Sequence, residues 1–219
     1  MLLSVATASA QPTFKLGVRG GLNQATSTVA TASNSSGTYP GYFATKSALY
    51  AWQAGAVLEV SFRHFAMQPA LIFSQKDEQL IIYANGFAGI IQERQLTSCS
   101  NWLELPVNAV YTLHGFQLFA GPYVALAVGG RAHDRLIDYE SKLVYGTGTG
   151  NRRFDAGVNV GLGYRQGPLQ VQLGYAMGLR NLHQAPSDLI VGFPPYHDFP
   201  TDEAYSRVVQ LTGTYFFKL

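Results

Sequence analysis

Charged side chains are scarce in this sequence. Asp, Glu, Lys and Arg make up 13% of its 219 residues, whereas hydrophobic residues make up 47%. A soluble domain usually carries roughly 25% charged residues, because its surface faces water. The deficit therefore argues against an ordinary water-facing surface. The net charge of +2, without a run of Lys or Arg, gives no basis for expecting a nucleic-acid partner.

Long hydrophobic runs, disulfides and metal motifs are missing as well. No stretch reaches the roughly 18 uninterrupted apolar residues of a membrane helix, so the apolar content is dispersed along the chain. Cys99 is the sole cysteine, which excludes an intrachain disulfide. The five histidines have no zinc-site spacing, and the glycines of Gly146–Gly150 lack the lysine of a phosphate loop. We therefore expect neither a metal nor a cofactor.

The first ten residues resemble the end of an export signal. They read MLLSVATASA and finish in Ala8-Ser9-Ala10. Small residues in this spacing after an apolar stretch are typical of a cleavage site. We interpret residues 1–10 as the remnant of a signal peptide, with a frayed apolar terminus as the alternative, and residues 11–219 as one domain.

Large apolar residues alternate with small or polar ones in eight segments, and a period of two is the pattern of strands with two different faces. The predicted strands lie at 13–24, 50–60, 65–76, 96–112, 115–131, 152–165, 168–180 and 204–218. Their second face carries Gly, Ala, Gln, Asn and isolated charges, which suits a crowded interior better than water. The large apolar face is then expected to point at lipid.

The predicted connections alternate strictly between long and short. The short ones are Ser61–His64, His114–Gly115 and Gln166–Pro168, and the four long ones are 25–49, 77–95, 132–151 and 181–203. Short periplasmic turns and long outer loops are typical of bacterial outer-membrane barrels. We predict an all-β fold, an eight-stranded antiparallel up-and-down transmembrane β-barrel, with both termini periplasmic. Asn85-Gly86 in the second loop favours a hairpin that extends strands three and four beyond the membrane.

Several charges share the face that should line the lumen. These are Arg19, Glu59, Glu104, Arg131, Asp155, Arg165 and Arg180. An eight-stranded barrel has room inside only for side chains, and buried charges must be paired. We predict a structural ion-pair network in which Glu104 pairs with at least one of Arg19, Arg165 and Arg180. A conduction or proton path is the alternative.

Aromatic residues near the strand ends are candidates for the belts that meet the membrane interfaces. They are Trp52, Trp102, Tyr111, Tyr164, Tyr175, Tyr215 and Phe217. Outer-membrane lipid is accordingly the first expected partner.

One outer loop contains the residue types of a hydrolase triad. His183, Ser187 and Asp188 all fall within 181–203, but no nucleophile elbow surrounds the serine. Three polar residues in a loop are ordinary loop composition, and this is the favoured interpretation. An outer-membrane lipid-modifying enzyme therefore stands as an alternative function.

Five segments, in order, resemble the PorT-like outer-membrane β-barrel family. They are Leu16–Asn23 (LGVRGGLN), Gln68–Lys76 (QPALIFSQK), Leu103–Pro106 (LELP), Gly121–Tyr123 (GPY) and Gly178–Leu182 (GLRNL). The similarity spans about 14–219. It implies a non-enzymatic envelope protein.

Taken together, these patterns predict a non-enzymatic outer-membrane protein with a structural or partner-binding role. Its lumen should be filled by side chains, and its outer loops are where a protein partner would bind. Insertion would require the barrel-assembly machinery. A soluble lipocalin-like ligand carrier is a further alternative, in which the large apolar residues would face inward.

Overall fold

A computed structural model describes residues 12–27, 42–85, 91–146, 151–182 and 204–218. Within these ranges the chain forms nine strands and contains no helix long and apolar enough to cross a membrane. The strands are β1 (Thr13–Ser27), β2 (Tyr42–Phe62), β3 (Phe65–Asn85), β4 (Ile91–Leu113), β5 (Phe116–Asp134), β6 (Tyr139–Lys142), β7 (Phe154–Gln166), β8 (Leu169–Gly178) and β9 (Ser206–Lys218). The signal-peptide interpretation of 1–10 falls outside the described residues.

Eight of the strands close into a ring of antiparallel neighbours. β1 pairs with β2 on one side and with β9 on the other, and β2, β3, β4, β5, β7, β8 and β9 follow one another around the wall. Closure leaves no free sheet edge in the barrel itself. The predicted eight-stranded up-and-down barrel is confirmed. β6, which was not predicted, pairs with β5 alone among the described strands and lies outside the ring.

The three predicted tight turns are confirmed and lie at one end of the barrel, called here the turn end. They connect β2 to β3, β4 to β5 and β7 to β8. Arg63, His114 and Gly167 have φ angles of 50°, 50° and 60°, and Gly115 has 89°. Left-handed backbone of this kind closes two-residue hairpins. The long connections share the opposite end, the loop end.

The two faces of the wall differ as the alternation predicted. Val160 on β7 is 43% exposed and faces outward, whereas its neighbour Asn159 is 8% exposed and faces the lumen. A β-carbon at Gly161 would collide with the Leu173 carbonyl and with the ring of Phe119. Glycine therefore lets a large ring fill the lumen at this level. The shortest strands of the ring, β8, β7 and β9, have 10, 13 and 13 residues. At a rise of about 3.3 Å per residue and a tilt of roughly 40°, such strands span about 25–33 Å, which is enough to cross the apolar band of about 25 Å.

The wall is higher on one side than on the other. β2 to β5 continue past the ends of β1, β7, β8 and β9, and β6 adds to this extension, called here the tall wall. The extension of β3 and β4 was predicted, and Asn85 pairs with Ile91 across the tip. The extension of β2 back to Tyr42 was not predicted, because its Ser, Thr and Ala residues resemble a loop. Register shifts in β2 and β5 mark its base.

Candidate functional site

Lumenal charges at the turn end surround a single carboxylate. Glu59 on β2 is fully buried, and Arg165 Nη1 on β7 lies 2.7 Å and 2.6 Å from its two oxygens. Lys15 Nζ donates to Oε1 over 3.2 Å, and Gln68 Nε2 donates to Oε2 over 2.8 Å. These four residues form the turn-end cluster. Since they come from β1, β2, β3 and β7, they tie opposite sides of the barrel together.

One buried cation above this cluster has no carboxylate. Arg19 Nε donates to Thr214 Oγ1 over 3.0 Å, and its Nη2 donates to Gln172 Oε1 over 2.9 Å. A third bond, to Gln68 Oε1, is 3.5 Å long. Neutral oxygens therefore hold this guanidinium, and no ion pair with Arg19 occurs among the described residues.

A second group of charges lies towards the loop end. Lys76 Nζ on β3 is 2.9 Å from Glu104 Oε1 on β4, and it stands 5.0 Å from the centre of the Trp102 ring. The Tyr123 hydroxyl donates to Asp155 Oδ2 over 3.0 Å. These five residues form the loop-end cluster. Glu104 Oε1 and Asp155 Oδ1 have no hydrogen-bond partner among the described residues, so the contact of Lys76 with Glu104 is an ion pair without hydrogen-bond geometry.

Two of the charges predicted for the lumen lie outside it. Arg131 has a side chain 72% exposed and pairs with Glu140 of β6 over 3.2 Å. The register shift in β5 leaves Val128 unpaired, so the alternation changes face between Ala127 and Arg131. Arg180 is exposed and stacks over the outward ring of Phe154 at 5.1 Å. Because β8 ends at Gly178, a period of two does not extend to Arg180.

The predicted partner of Glu104 is also wrong. It pairs with Lys76 rather than with Arg19, Arg165 or Arg180. Lys76 and Lys15 were absent from the predicted network. The signal was present, since Lys76 shares the inward phase of Gln68, Ala70, Ile72 and Ser74 on β3. Arg19, Glu59, Glu104, Asp155 and Arg165 do lie in the lumen.

Six of the seven predicted interface aromatics lie on the outer surface. They are Trp52, Tyr111, Tyr164, Tyr175, Tyr215 and Phe217. Trp102 instead is 4% exposed and points into the lumen. It stands two residues from Glu104 on the same strand, so the period that turns Glu104 inward turns Trp102 inward as well.

A cleft of about 170 Å³ opens at the loop end, and sequence reasoning gave no sign of it. It lies between the inner face of the tall wall and the ends of β1 and β9, above Lys76 and Trp102. Tyr145, in the connection that follows β6, forms part of its lining. Burial raises the pKa of the Tyr145 hydroxyl to about 12, so this group stays neutral at physiological pH.

No group of three or more His, Cys, Asp or Glu residues suited to a metal ion occurs in the part of the chain that the structure describes. His183, Ser187 and Asp188 lie outside the described residues.

The closed ring, the outward apolar belt and the polar, charge-lined lumen together define an outer-membrane β-barrel of bacteria. In a soluble lipocalin-like carrier the large apolar residues would face inward, and the outward apolar belt contradicts this alternative. Residues 9–184, well over half of the chain, match the family described as "Outer membrane protein beta-barrel domain", and the chain belongs to that family.

Solved structures similar to this chain include Neisserial surface protein A and Ail. Neisserial surface protein A is 10% identical, with 94% of this chain and 99% of that chain covered and a TM-score of 0.40. Ail, the attachment invasion locus protein of Yersinia pestis, in complex with the heparin analogue sucrose octasulfate, is 8% identical, with the same coverage and a TM-score of 0.45. Similarities this low carry no information on function. No curated protein matches the sequence.

Proposed function

We propose that the protein is a non-enzymatic barrel that anchors the tall wall at the cell surface and does not conduct solutes. The observation that carries this proposal is the turn-end cluster. Glu59 receives Arg165, Lys15 and Gln68 from three other strands, so the lumen is crossed by direct side-chain contacts at this level. An eight-stranded barrel has no spare width around such a cluster.

The proposed orientation places both termini in the periplasm and the tall wall outside. Two facts support it. β1 begins and β9 ends at the turn end, where Lys15 pairs with Lys218, and the long connections share the other end. Long loops are external in barrels of this architecture. Protease added to intact cells should cut within the tall wall or the long connections and leave an epitope at either terminus intact. Loss of a terminal epitope from intact cells would reverse the orientation.

Membership of the PorT-like group is the finer family proposal. The segments that carry the resemblance lie on neighbouring strands, since Gln68–Lys76 is in β3 and Leu103–Pro106 is in β4. Contact of a protein partner with the loop end, and insertion by the barrel-assembly machinery, are parts of the same proposal.

The alternative, a lipid-modifying enzyme, would turn over outer-membrane lipid. Because we propose a non-enzymatic barrel, we expect neither hydrolysis nor acyl transfer when purified protein is incubated with this lipid.

Conductance in planar bilayers tests the closed lumen directly. We expect purified protein to give no steady porin-like current. The double variant Glu59→Ala/Arg165→Ala removes both main side chains of the turn-end cluster and should produce measurable current. The exposed variant Arg131→Ala is the matched control and should stay closed. Steady current through the unmodified protein would contradict the proposal.

A further inference from the structure

Three hydroxyl side chains from different strands line part of the cleft at the loop end. Thr26 from β1, Ser98 from β4 and Ser206 from β9 all line it. Their hydroxyls have no protein hydrogen-bond partner among the residues that the structure describes. A hydroxyl both donates and accepts, so three of them on different walls can bind several hydroxyls of a ligand.

An aromatic wall stands beside these hydroxyls. The rings of Trp102 and Tyr145 meet nearly edge to face, with centroids 6.1 Å apart. The Trp102 Nε1–H donates to Ser100 Oγ over 2.9 Å, and the Ser100 hydroxyl donates to the Lys76 carbonyl over 2.9 Å. The indole nitrogen is therefore already used. Trp102 is only 4% exposed, so what the wall offers to a ligand is mainly the partly exposed apolar ring surface of Tyr145.

The charges of the lining cancel. Lys76 and Arg152 are positive, and Asp77 and Glu78 are negative. Lys76 is further neutralised by Glu104 beneath the cleft. An anionic ligand would meet no excess of positive charge here, and an apolar ligand would strip water from the three hydroxyls without replacing their hydrogen bonds.

From this arrangement we propose that the cleft binds one neutral sugar ring from solution. A pyranose presents hydroxyls around its rim and C–H groups on its face, which matches three hydroxyl donors beside an aromatic wall. The volume of about 170 Å³ is more than ten times the roughly 10–15 Å³ that a single water needs, so the cleft has room for a ligand much larger than a water molecule. This inference does not depend on whether the lumen conducts.

The two tryptophans of the chain allow a direct binding assay. Trp52 lies on the outer surface at 49% exposure, and Trp102 lines the cleft. In a Trp52→Phe background, the emission of detergent-solubilised protein reports on Trp102 alone. Titration with neutral methyl hexopyranosides should give a saturable change in emission. Sulfated and carboxylated hexoses should bind more weakly than the neutral ones.

Matched variants locate the binding. Ser98→Val and Thr26→Val each remove one cleft hydroxyl and should weaken binding by roughly three- to tenfold, as expected for one lost hydrogen bond. Thr97→Val is the control, because Thr97 precedes Ser98 and faces the other side of the tall wall; its affinity should stay within about twofold of the parent. Two cleft variants on separate strands keep the test valid if one fails to fold, which heat-modifiable gel migration would reveal.

Four outcomes would overturn the proposal. They are no saturable response to any neutral hexoside, tighter binding of sulfated sugars, equal effects of Ser98→Val and Thr97→Val, and a response only to hexose-bearing lipid in the bilayer. The last two would place the bound sugar outside the cleft.

Discussion

The two charged clusters of the lumen are built from similar residues but are satisfied to different degrees. At the turn end, both oxygens of Glu59 contact Arg165, and Lys15 and Gln68 each donate a further hydrogen bond. At the loop end, Lys76 pairs with Glu104 and the Tyr123 hydroxyl donates to Asp155, and each carboxylate keeps one oxygen without a hydrogen bond from the described residues. Both carboxylate oxygens of the turn-end cluster therefore have hydrogen-bond partners, whereas the carboxylates of the loop-end cluster are only partly satisfied.

The two clusters also differ in their balance of cations and carboxylates. Among the described residues, Lys15 and Arg165 contact the carboxylate of the turn-end cluster, and the cation Arg19 lies above it. The loop-end cluster has one cation, Lys76, for the two carboxylates of Glu104 and Asp155. Buried charge without full compensation is costly, and it persists where the surrounding structure or a function maintains it. The comparison teaches that the turn end locks the fold, while the loop end, directly beneath the cleft, retains spare polar capacity.

Removing the carboxylate of the turn-end cluster should have the largest effect. Glu59→Gln leaves Arg165 and Lys15 without their anion, and we expect a loss of about 3–4 kcal/mol in the free energy of unfolding. This loss lies in the lower part of the range of about 3–5 kcal/mol for breaking a buried ion pair. Lys15 and Arg165 both retain some solvent contact, which lowers the cost. Denaturant unfolding in detergent measures it. The double variant Glu59→Gln/Arg165→Met should recover part of the loss, and no recovery would contradict the assignment of Arg165 as partner.

Both clusters are assigned to the lumen, so their comparison depends on which face of the barrel wall points inward. Val160→Arg places a charge on the lipid-facing side near mid-membrane and should cost about 2–4 kcal/mol in the free energy of unfolding. Asn159→Ala, one residue away and inward, removes no charge and should cost less. Unfolding measured in lipid vesicles separates the two. If both variants lost equal stability, the assignment of faces would fail.

Removing the corresponding carboxylate at the loop end should matter less. Glu104→Gln leaves Asp155 to compensate Lys76, and Glu104 Oε1 makes no hydrogen bond within the described residues, so we expect about 1–2 kcal/mol in the free energy of unfolding. The same change in an Asp155→Asn background should cost more, because Lys76 then loses both anions. Additive effects of Glu104→Gln and Asp155→Asn would show that the two carboxylates do not share Lys76.

The sequence pattern predicted the barrel well because a period of two is set by the backbone and not by tertiary context. It located the lumenal Glu59 and Asp155, the tight turn at His114–Gly115 and the lipid-facing strands. It failed where the backbone departs from regular pairing. The extra residue in β5 turns the Arg131 side chain outward. Arg180 lies beyond the end of β8, where strand alternation no longer sets the direction of its side chain.

Partners within the lumen were harder to predict than faces. Alternation places Glu104 inward but does not say which cation on another strand reaches it, since that depends on strand register and tilt. Ser100 and Lys76 are paired across β3 and β4, which brings Lys76 above Glu104. The loop-end cleft was beyond sequence reasoning altogether, because its walls come from β1, β3, β4, β9 and the connection after β6.

The smallest expected effect concerns a charge pair that lies outside both clusters. Arg131 and Glu140 approach to 3.2 Å on the tall wall, but both side chains are more than half exposed. An exposed pair of this kind contributes about 0.2–1 kcal/mol, because water solvates the separated charges almost as well and salt screens their attraction. Arg131→Gln should therefore lower the free energy of unfolding by less than about 1 kcal/mol, and the loss should shrink further in high salt. Denaturant unfolding at two ionic strengths measures both quantities, with Lys142→Gln as the control for loss of a nearby exposed cation. A loss as large as that of Glu59→Gln, and independent of salt, would indicate that Arg131 lies in the lumen. It would also contradict the expectation that paired charges inside the barrel contribute more to the free energy of unfolding than solvated charges outside it.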